Sequence, residues 1–164
     1  MSDTLYELDG GILTVNQDLR MRNSRLITFR GTVELGSHAL LMDGKSCGVM
    51  VSGGTINANG LSFGPAESGE GFKIIRFEGG AGSINLTGDI RFHAEGSQND
   101  FIDFSTGTRG RLVSRKDAGY FATLWDAGRL RIDGEAGVPG QFGDSGFQMI
   151  AINEGRVALV LSDG

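Results

Sequence analysis

The sequence is poor in proline, cysteine and basic residues, and these shortages exclude several classes of protein. Its 164 residues include 2 prolines and 1 cysteine, with 15 basic against 20 acidic residues. A collagen-like chain needs abundant proline with glycine at every third position, and a disulfide framework needs paired cysteines. The net charge of −5 argues against a nucleic-acid partner, which normally requires a concentrated basic face.

Long apolar runs are also missing. No run approaches the ~20 residues of a membrane-spanning helix, so we expect no insertion into a membrane. The opening segment, MSDTLYELDG, lacks the charged and apolar regions of a signal peptide. We therefore expect either a protein that stays inside the cell or a mature or trimmed form of an exported one.

Glycine and apolar residues are abundant instead. Glycine supplies 28 positions, and 39% of the chain is hydrophobic, including 10 phenylalanines. A disordered linker would be poor in such apolar residues. Because glycine adopts positive φ at no steric cost, the composition favours a folded domain with many sharp bends.

A pattern of three short apolar doublets recurs along the chain. Each doublet has two apolar residues separated by one other residue, as in Leu13-x-Val15. In a strand, residues i and i+2 point to the same face, so each doublet directs two side chains into one interior. The third doublet of each unit, which precedes a glycine-containing bend, reads Ile27-x-Phe29, Val49-x-Val51, Ile75-x-Phe77 and Ile102-x-Phe104. The pattern therefore predicts an inward column of aromatic rings at Phe29, Phe63, Phe77, Phe92 and Phe104.

These units predict an all-β protein that forms one domain over residues 1–164. Three short strands in a unit of about 20–28 residues are typical of a single-stranded parallel β-helix, or β-solenoid. We expect about five coils with three short strands each. The coils start near residues 13, 33, 56, 84 and 112. The alternative is an antiparallel sandwich or jelly roll, which also reads as short strands separated by turns.

The doublets give way to a helical pattern in the closing segment, residues 112–164. Phe121, Leu124 and Trp125 have i, i+3, i+4 spacing. Asp117 is a suitable first residue, and Gly128 is a suitable stop. We predict one short helix near residues 117–127, after which strand patterns resume.

The bends and this closing segment resemble exported bacterial β-solenoid repeat proteins of the passenger and adhesin type. The features that carry the resemblance are the bend Gly53-Gly54-Thr55-Ile56, the order of the doublets, and the segments YFATLWDAGRLRIDGEAG and FQMIAINEGRVALVL. These two closing segments are similar to the ends of large surface proteins with C-terminal sorting tails. The resemblance implies an extracellular or cell-surface location and a structural or adhesive role, with no inherited catalytic residues.

Candidate catalytic residues are scarce. A catalytic solenoid would place several carboxylates on one face, and the candidates are Asp89, Glu95, Asp100 and Asp103. Their spacing defines no acid/base pair of the kind that glycosidases use. We therefore interpret them as solvated surface residues and predict that the protein is not an enzyme.

Metal and cofactor sites have equally little support. His38 and His93 have no cysteine, histidine or glutamate nearby at metal-ligand spacing. Four Asp-Gly steps, at Asp9, Asp43, Asp133 and Asp163, suit turns, with weak Ca²⁺ binding as the alternative. The single cysteine, Cys47, is expected to be buried. We predict no cofactor.

The ends of a solenoid leave rows of unpaired backbone groups, which favour association. Both the opening strand and the final strand lack an obvious cap, so we predict self-association into a homo-oligomer or filament that serves as a fibre, sheath or adhesin building block. The candidate contact residues are Leu5, Tyr6, Tyr120, Trp125, Val157, Leu159 and Leu161. The alternative is a carbohydrate- or surface-binding module that uses the variable loops 64–72 and 93–99, with a glycan as partner. Two roles are open for Tyr120 and Trp125: their rings either pack against the domain or stack on a sugar.

Overall fold

A computed structural model describes residues 3–66, 71–152 and 155–161 of the chain. In these ranges the protein is mostly β, with one α-helix, α1 (Ala118–Asp126), and a short 3-10 helix at Gly143–Ser145. The strands are β1 (Leu5–Thr14), β2 (Leu19–Arg22), β3 (Arg25–Glu34), β4 (Leu40–Asp43), β5 (Ser46–Val51), β6 (Thr55–Ala58), β7 (Leu61–Phe63), β8 (Phe72–Phe77), β9 (Ser83–Leu86), β10 (Ile90–Phe92), β11 (Phe101–Phe104), β12 (Arg111–Ser114), β13 (Leu130–Ile132), β14 (Glu135–Ala136), β15 (Phe147–Ala151) and β16 (Val157–Leu161).

The strands form two sheets. The larger, twelve-stranded sheet has the order β14-β13-β11-β8-β5-β3-β6-β9-β12-β16-β15, with β1 paired to β3. It is mostly parallel and curls into a half-barrel. The smaller sheet has the order β10-β7-β4-β2 and is wholly parallel. The fold is therefore a large, mixed, curled sheet with a small parallel sheet beside it.

The predicted β-solenoid is wrong. The pattern predicts three separate short strands in every coil, whereas β3 runs from Arg25 to Glu34 and pairs with both β5 and β6. Strands assigned to the first and third faces of a coil thus belong to one continuous sheet. That sheet is also mixed, because β12 and β16, β15 and β16, and β13 and β14 pair in antiparallel orientation.

Glycine at the bends allows the long strands to curl. Gly31, in the middle of β3, has φ of 90°, and a Cβ atom there would lie 2.6 Å from the carbonyl oxygen of Gly11. Gly10 and Gly11 make the matching bend in β1, where the register against β3 shifts. Because the bends of β1 and β3 lie in direct contact, the two strands change direction together and stay paired on both sides of the bend.

The core lies between the curled sheet and the small sheet. Phe63 of the small sheet stacks on Phe92 with ring centroids 4.1 Å apart, and Phe77 of the large sheet stacks on Phe104 at 4.5 Å. Phe63, Phe77 and Phe104 are fully buried, as the doublets predict. Phe29 is the exception, because it is 41% exposed. The inward residues of this part of β3 are Leu26 and Thr28, so the predicted register is wrong by one residue there.

The predicted helix is present as α1. The Asp117 side chain caps it by accepting a hydrogen bond from the backbone N–H of Tyr120 at 3.0 Å. Gly128 follows with φ of 70°, the left-handed conformation common after helix ends. Phe121, Leu124 and Trp125 are its buried residues.

Candidate functional site

The N-terminal edge of the large sheet is open along β1. Among the residues that the structure describes, β1 pairs with β3 alone. Arg25 donates its N–H to the carbonyl of Thr4, and Leu5 lies opposite Arg25 in a parallel ladder. In a parallel ladder, Arg25 bonds through both its N–H and its carbonyl to the neighbours of Leu5. The N–H and carbonyl of Leu5 itself therefore point away from β3, towards the open side. The strand has ten residues and bends at Gly10 and Gly11, so its edge measures about 33 Å along the chain.

Apolar side chains accompany this open edge. Ile12 is 72% exposed, Leu5 is 54% exposed and Tyr6 is 37% exposed. Leu8 and Leu13 are only partly buried against the core. An exposed edge that also carries apolar side chains is a template for pairing with another strand. We call Leu5–Thr14 the β1 edge.

An ion pair holds the bend of the β1 edge. The two carboxylate oxygens of Asp9 accept hydrogen bonds from Nε and Nη2 of Arg30 at 2.8 and 3.0 Å. The Arg30 guanidinium lowers the pKa of Asp9, and the carboxylate raises the pKa of Arg30. The pair is solvent-exposed, so its role is to orient the bend more than to stabilise the fold.

Helix α1 covers part of the opposite end of the domain. The hydroxyl of Tyr120 on α1 donates to the carbonyl of Ile90 in the last strand of the small sheet, at 2.7 Å. Burial, with a contribution from the charge of Asp89, raises the pKa of Tyr120 to about 12. Trp125 is 6% exposed and donates from Nε1 to the carbonyl of Val138 at 3.0 Å. Gly137 lies directly against its ring. Helix α1 thus covers the edge of the small sheet.

The final strand is paired on both sides. β16 lies between β12 and β15, so the expectation that it ends without a cap is wrong. Leu159 is fully buried, and Val157 and Leu161 are partly buried. The antiparallel return of the chain allows β16 to enter the sheet as an inner strand.

The predicted contact residues therefore divide into two groups. Leu5 and Tyr6 lie on the β1 edge. The second group, at the opposite, C-terminal end of the domain, comprises Tyr120, Trp125, Val157, Leu159 and Leu161. The structure does not bring the groups together.

The candidate carboxylates are held by cations and by backbone groups. Asp100 is buried, accepts the N–H of Lys73 at 2.8 Å, and has the Lys73 ammonium 3.5 Å from its other oxygen. Asp103 is buried and accepts from Arg76 Nε at 2.7 Å. The interpretation of Asp100 and Asp103 as solvated surface residues is therefore wrong, because both are buried within these contacts.

The remaining polar candidates lie apart from one another. Asp89 accepts from Lys116 at 2.9 Å, which lowers the pKa of Asp89. Glu95 donates its backbone N–H to Nδ1 of His93 at 3.1 Å, while His38 lies 3.8 Å from Asp18. Within residues 3–66, 71–152 and 155–161, no three His, Cys, Asp or Glu side chains are grouped closely enough to hold a metal ion.

The Asp-Gly steps and the cysteine also have protein partners. Besides Asp9, Asp43 pairs with Arg20 at 2.9 Å, and Asp133 accepts from the backbone N–H of Thr106 at 2.9 Å. The fourth step, Asp163-Gly164, lies outside the described residues. Cys47 is buried as expected; its thiol donates to the carbonyl of Asp43 at 2.9 Å, and burial raises its pKa.

The two variable loops lie side by side. Ala66 donates its N–H to the carbonyl of Glu95 at 2.8 Å, and the Ser97 hydroxyl donates to the carbonyl of Gly71 at 2.9 Å. Residues 67–70 of the first loop lie outside the described ranges. The described parts of 64–72 and 93–99 therefore form one edge of the domain.

An apolar patch on the outer face of the large sheet was not predicted from the sequence. Ile27, Met50 and Ile74 face outward there, beside Phe72, which is 40% exposed. A one-residue shift of register moves a whole apolar set to the other face of a sheet. The pairs Ile27-x-Phe29 and Phe72-x-Ile74 indicate this patch in the sequence, but the same alternation is equally consistent with doublets that face the interior.

Comparisons with known proteins give no relative for this chain. No family model matches it, and neither a curated protein nor a solved structure does. Among the described residues, no helix is long and apolar enough to span a bilayer.

Proposed function

We propose that this chain is a non-catalytic structural protein that associates with a second copy of itself through the β1 edge. The observation that carries the proposal is a ten-residue strand paired on one side and bearing exposed apolar side chains. Burial of those side chains and completion of the ladder both favour association.

The C-terminal end of the domain favours one symmetry for the proposed contact. Head-to-tail stacking into a filament needs two complementary open ends. Among the described residues, the edge strands at the second end, β14 and β15, have two and five residues and run antiparallel to their partners, and helix α1 packs at the same end. Within these residues, that end therefore offers no long parallel edge to match β1. A contact that uses the same edge on both copies is isologous and closes as a dimer. With the twofold axis normal to the sheet, the two β1 strands run antiparallel and keep their inner faces on one side.

The engaged carboxylates support the non-catalytic part of the proposal. Asp89, Asp100 and Asp103 each have a cationic partner within the protein, which is typical of carboxylates that stabilise a fold. The extracellular or cell-surface location rests on the resemblance to exported surface proteins alone. The alternative, glycan binding at loops 64–72 and 93–99, stays a prediction.

The test is the association state in sedimentation equilibrium over a wide range of protein concentrations. We expect the wild-type chain to be a dimer and Ile12→Lys to be a monomer, because a charge on an exposed edge strand opposes pairing. Ile150→Lys is the matched control, since Ile150 is 43% exposed on β15, the short edge strand at the other end of the domain. This variant should remain a dimer.

A second variant tests the backbone contribution. Glu7 lies opposite Ile27 and, like Leu5, directs its backbone N–H away from β3. Glu7→Pro therefore removes a backbone hydrogen-bond donor from the open side of the strand and none from the pairing of β1 with β3. Edge strands tolerate proline there, and we expect a folded monomer. A wild-type chain that stays monomeric at every concentration would overturn the proposal. Dissociation caused by Ile150→Lys, or filaments in electron micrographs, would contradict the isologous contact.

A further inference from the structure

The outer face of the large sheet has a gap in a row of side chains. Leu5, Arg25, Gly48 and Ile74 lie opposite one another on β1, β3, β5 and β8. Gly48 has no side chain, and a Cβ atom there would meet only Arg25 Cγ, at 3.6 Å. The gap is the floor of an open groove of about 360 Å³.

The walls of this groove are apolar. They are formed by Leu5, Ile27, Met50, Phe72 and Ile74. The backbone under the groove belongs to paired strands, so its N–H and C=O groups are used within the sheet. A sugar or a nucleobase would leave its hydroxyl or ring polar atoms without partners here, at a cost in free energy. The groove therefore favours an apolar body.

One positive charge is available at the groove. Arg25 is exposed, and among the described residues it has no ion pair or side-chain hydrogen bond. Arg76, at the other end, is held by buried Asp103 at 2.7 Å. Glu7 is the carboxylate on the same face of β1, opposite Ile27. The charge of Arg25 thus complements an anionic head group attached to the apolar body.

We propose that this groove binds a medium-chain fatty acid as the free carboxylate. From Arg25 on β3 across Gly48 to Ile74 on β8 the groove spans about 10 Å, which an extended chain of about eight to ten carbons covers at roughly 1.3 Å per carbon. The alkyl chain lies over Gly48 and the carboxylate pairs with Arg25. The groove shares Leu5 with the β1 edge, but its other apolar walls, Ile27, Met50, Phe72 and Ile74, lie on β3, β5 and β8, away from the strand that pairs.

The experiment is calorimetric titration of the full chain with sodium decanoate below its micelle concentration, with amide shifts followed by NMR. We expect one molecule bound per chain and shifts centred on Gly48 and Ile74. Decyltrimethylammonium, with the same chain and a cationic head, should bind at least tenfold more weakly. This comparison needs no variant.

Two substitutions locate the site. Gly48→Leu fills the gap and should weaken decanoate binding at least tenfold, while Ser62→Leu, on the outer face of the small sheet, should leave it unchanged. Arg25→Met keeps the apolar stem and should weaken binding about threefold, the size expected for an exposed ion pair. Arg111→Met, on β12, is its control.

Several results would overturn the proposal. These are no saturable binding of decanoate, equal binding of the cationic amphiphile, or undiminished binding by folded Gly48→Leu. Adsorption to phosphatidylglycerol vesicles without binding of free decanoate would also overturn it, since the surface would then recognise a bilayer.

Discussion

Phe29 and Phe77 occupy equivalent positions in the repeat, yet the structure predicts very different costs for their removal. Phe77 is fully buried and stacks on Phe104 at 4.5 Å. Phe77→Ala leaves a cavity in a packed core, so we expect a loss of about 3–5 kcal/mol in the free energy of unfolding. Phe29 is 41% exposed on the outer face of β3. For Phe29→Ala we expect a loss below about 1 kcal/mol.

The assay is equilibrium unfolding in urea, with both variants compared to the wild-type chain at one protein concentration. Equal slopes of free energy against denaturant would show that both variants unfold from comparable states. The ratio of the two losses is the informative quantity, because it does not depend on the absolute stability.

Equal losses for the two variants would refute the register of β3. Ile27 and Phe29 would then face inward as the doublet pattern predicts, and Leu26 and Thr28 would face outward. The apolar groove above Gly48 would disappear with that change, since Ile27 is one of its walls.

The remaining two predictions concern polar groups. Lys73→Met should cost about 3–5 kcal/mol, because it leaves the buried Asp100 carboxylate without its cation; Lys116→Met, at a more exposed pair, should cost under about 1 kcal/mol. Urea unfolding of both variants checks this, and equal costs would contradict it. Tyr120 has a folded pKa of about 12 against about 10 unfolded. The contribution of the protonated Tyr120 hydroxyl to the free energy of unfolding is present in full below pH ~10. It is lost as pH rises towards 12, because the unfolded chain releases the proton first. Tyr120→Phe should reduce this alkaline loss, and unchanged pH dependence of unfolding would argue against a buried hydroxyl.

Local features of the fold were predictable from the sequence. Helix α1 follows from the spacing of Phe121, Leu124 and Trp125 and from its two end residues, all of which act within a few positions of each other. Burial of Phe63 and Phe77 follows from strict alternation in short strands. Leu5 and Tyr6 were predicted as contact residues because the opening strand lacks an obvious cap.

The closing segment shows where such reasoning fails. The alternation in β16 correctly predicts a strand, but alternation is the same for a parallel and an antiparallel partner. The direction in which the chain returns decided that Leu159 would be buried between β12 and β15. No local pattern records that direction.

By itself, the sequence determined which segments become strands, where the helix lies and which bends require glycine, because those properties depend on steric and apolar preferences of near neighbours. Only the tertiary structure decided that the strands curl into one mixed sheet, that β1 is left at an open edge, and that Ile27 faces outward beside Gly48. Each of these depends on which distant strand supplies the partner and in what register, and a shift of one residue reverses the faces.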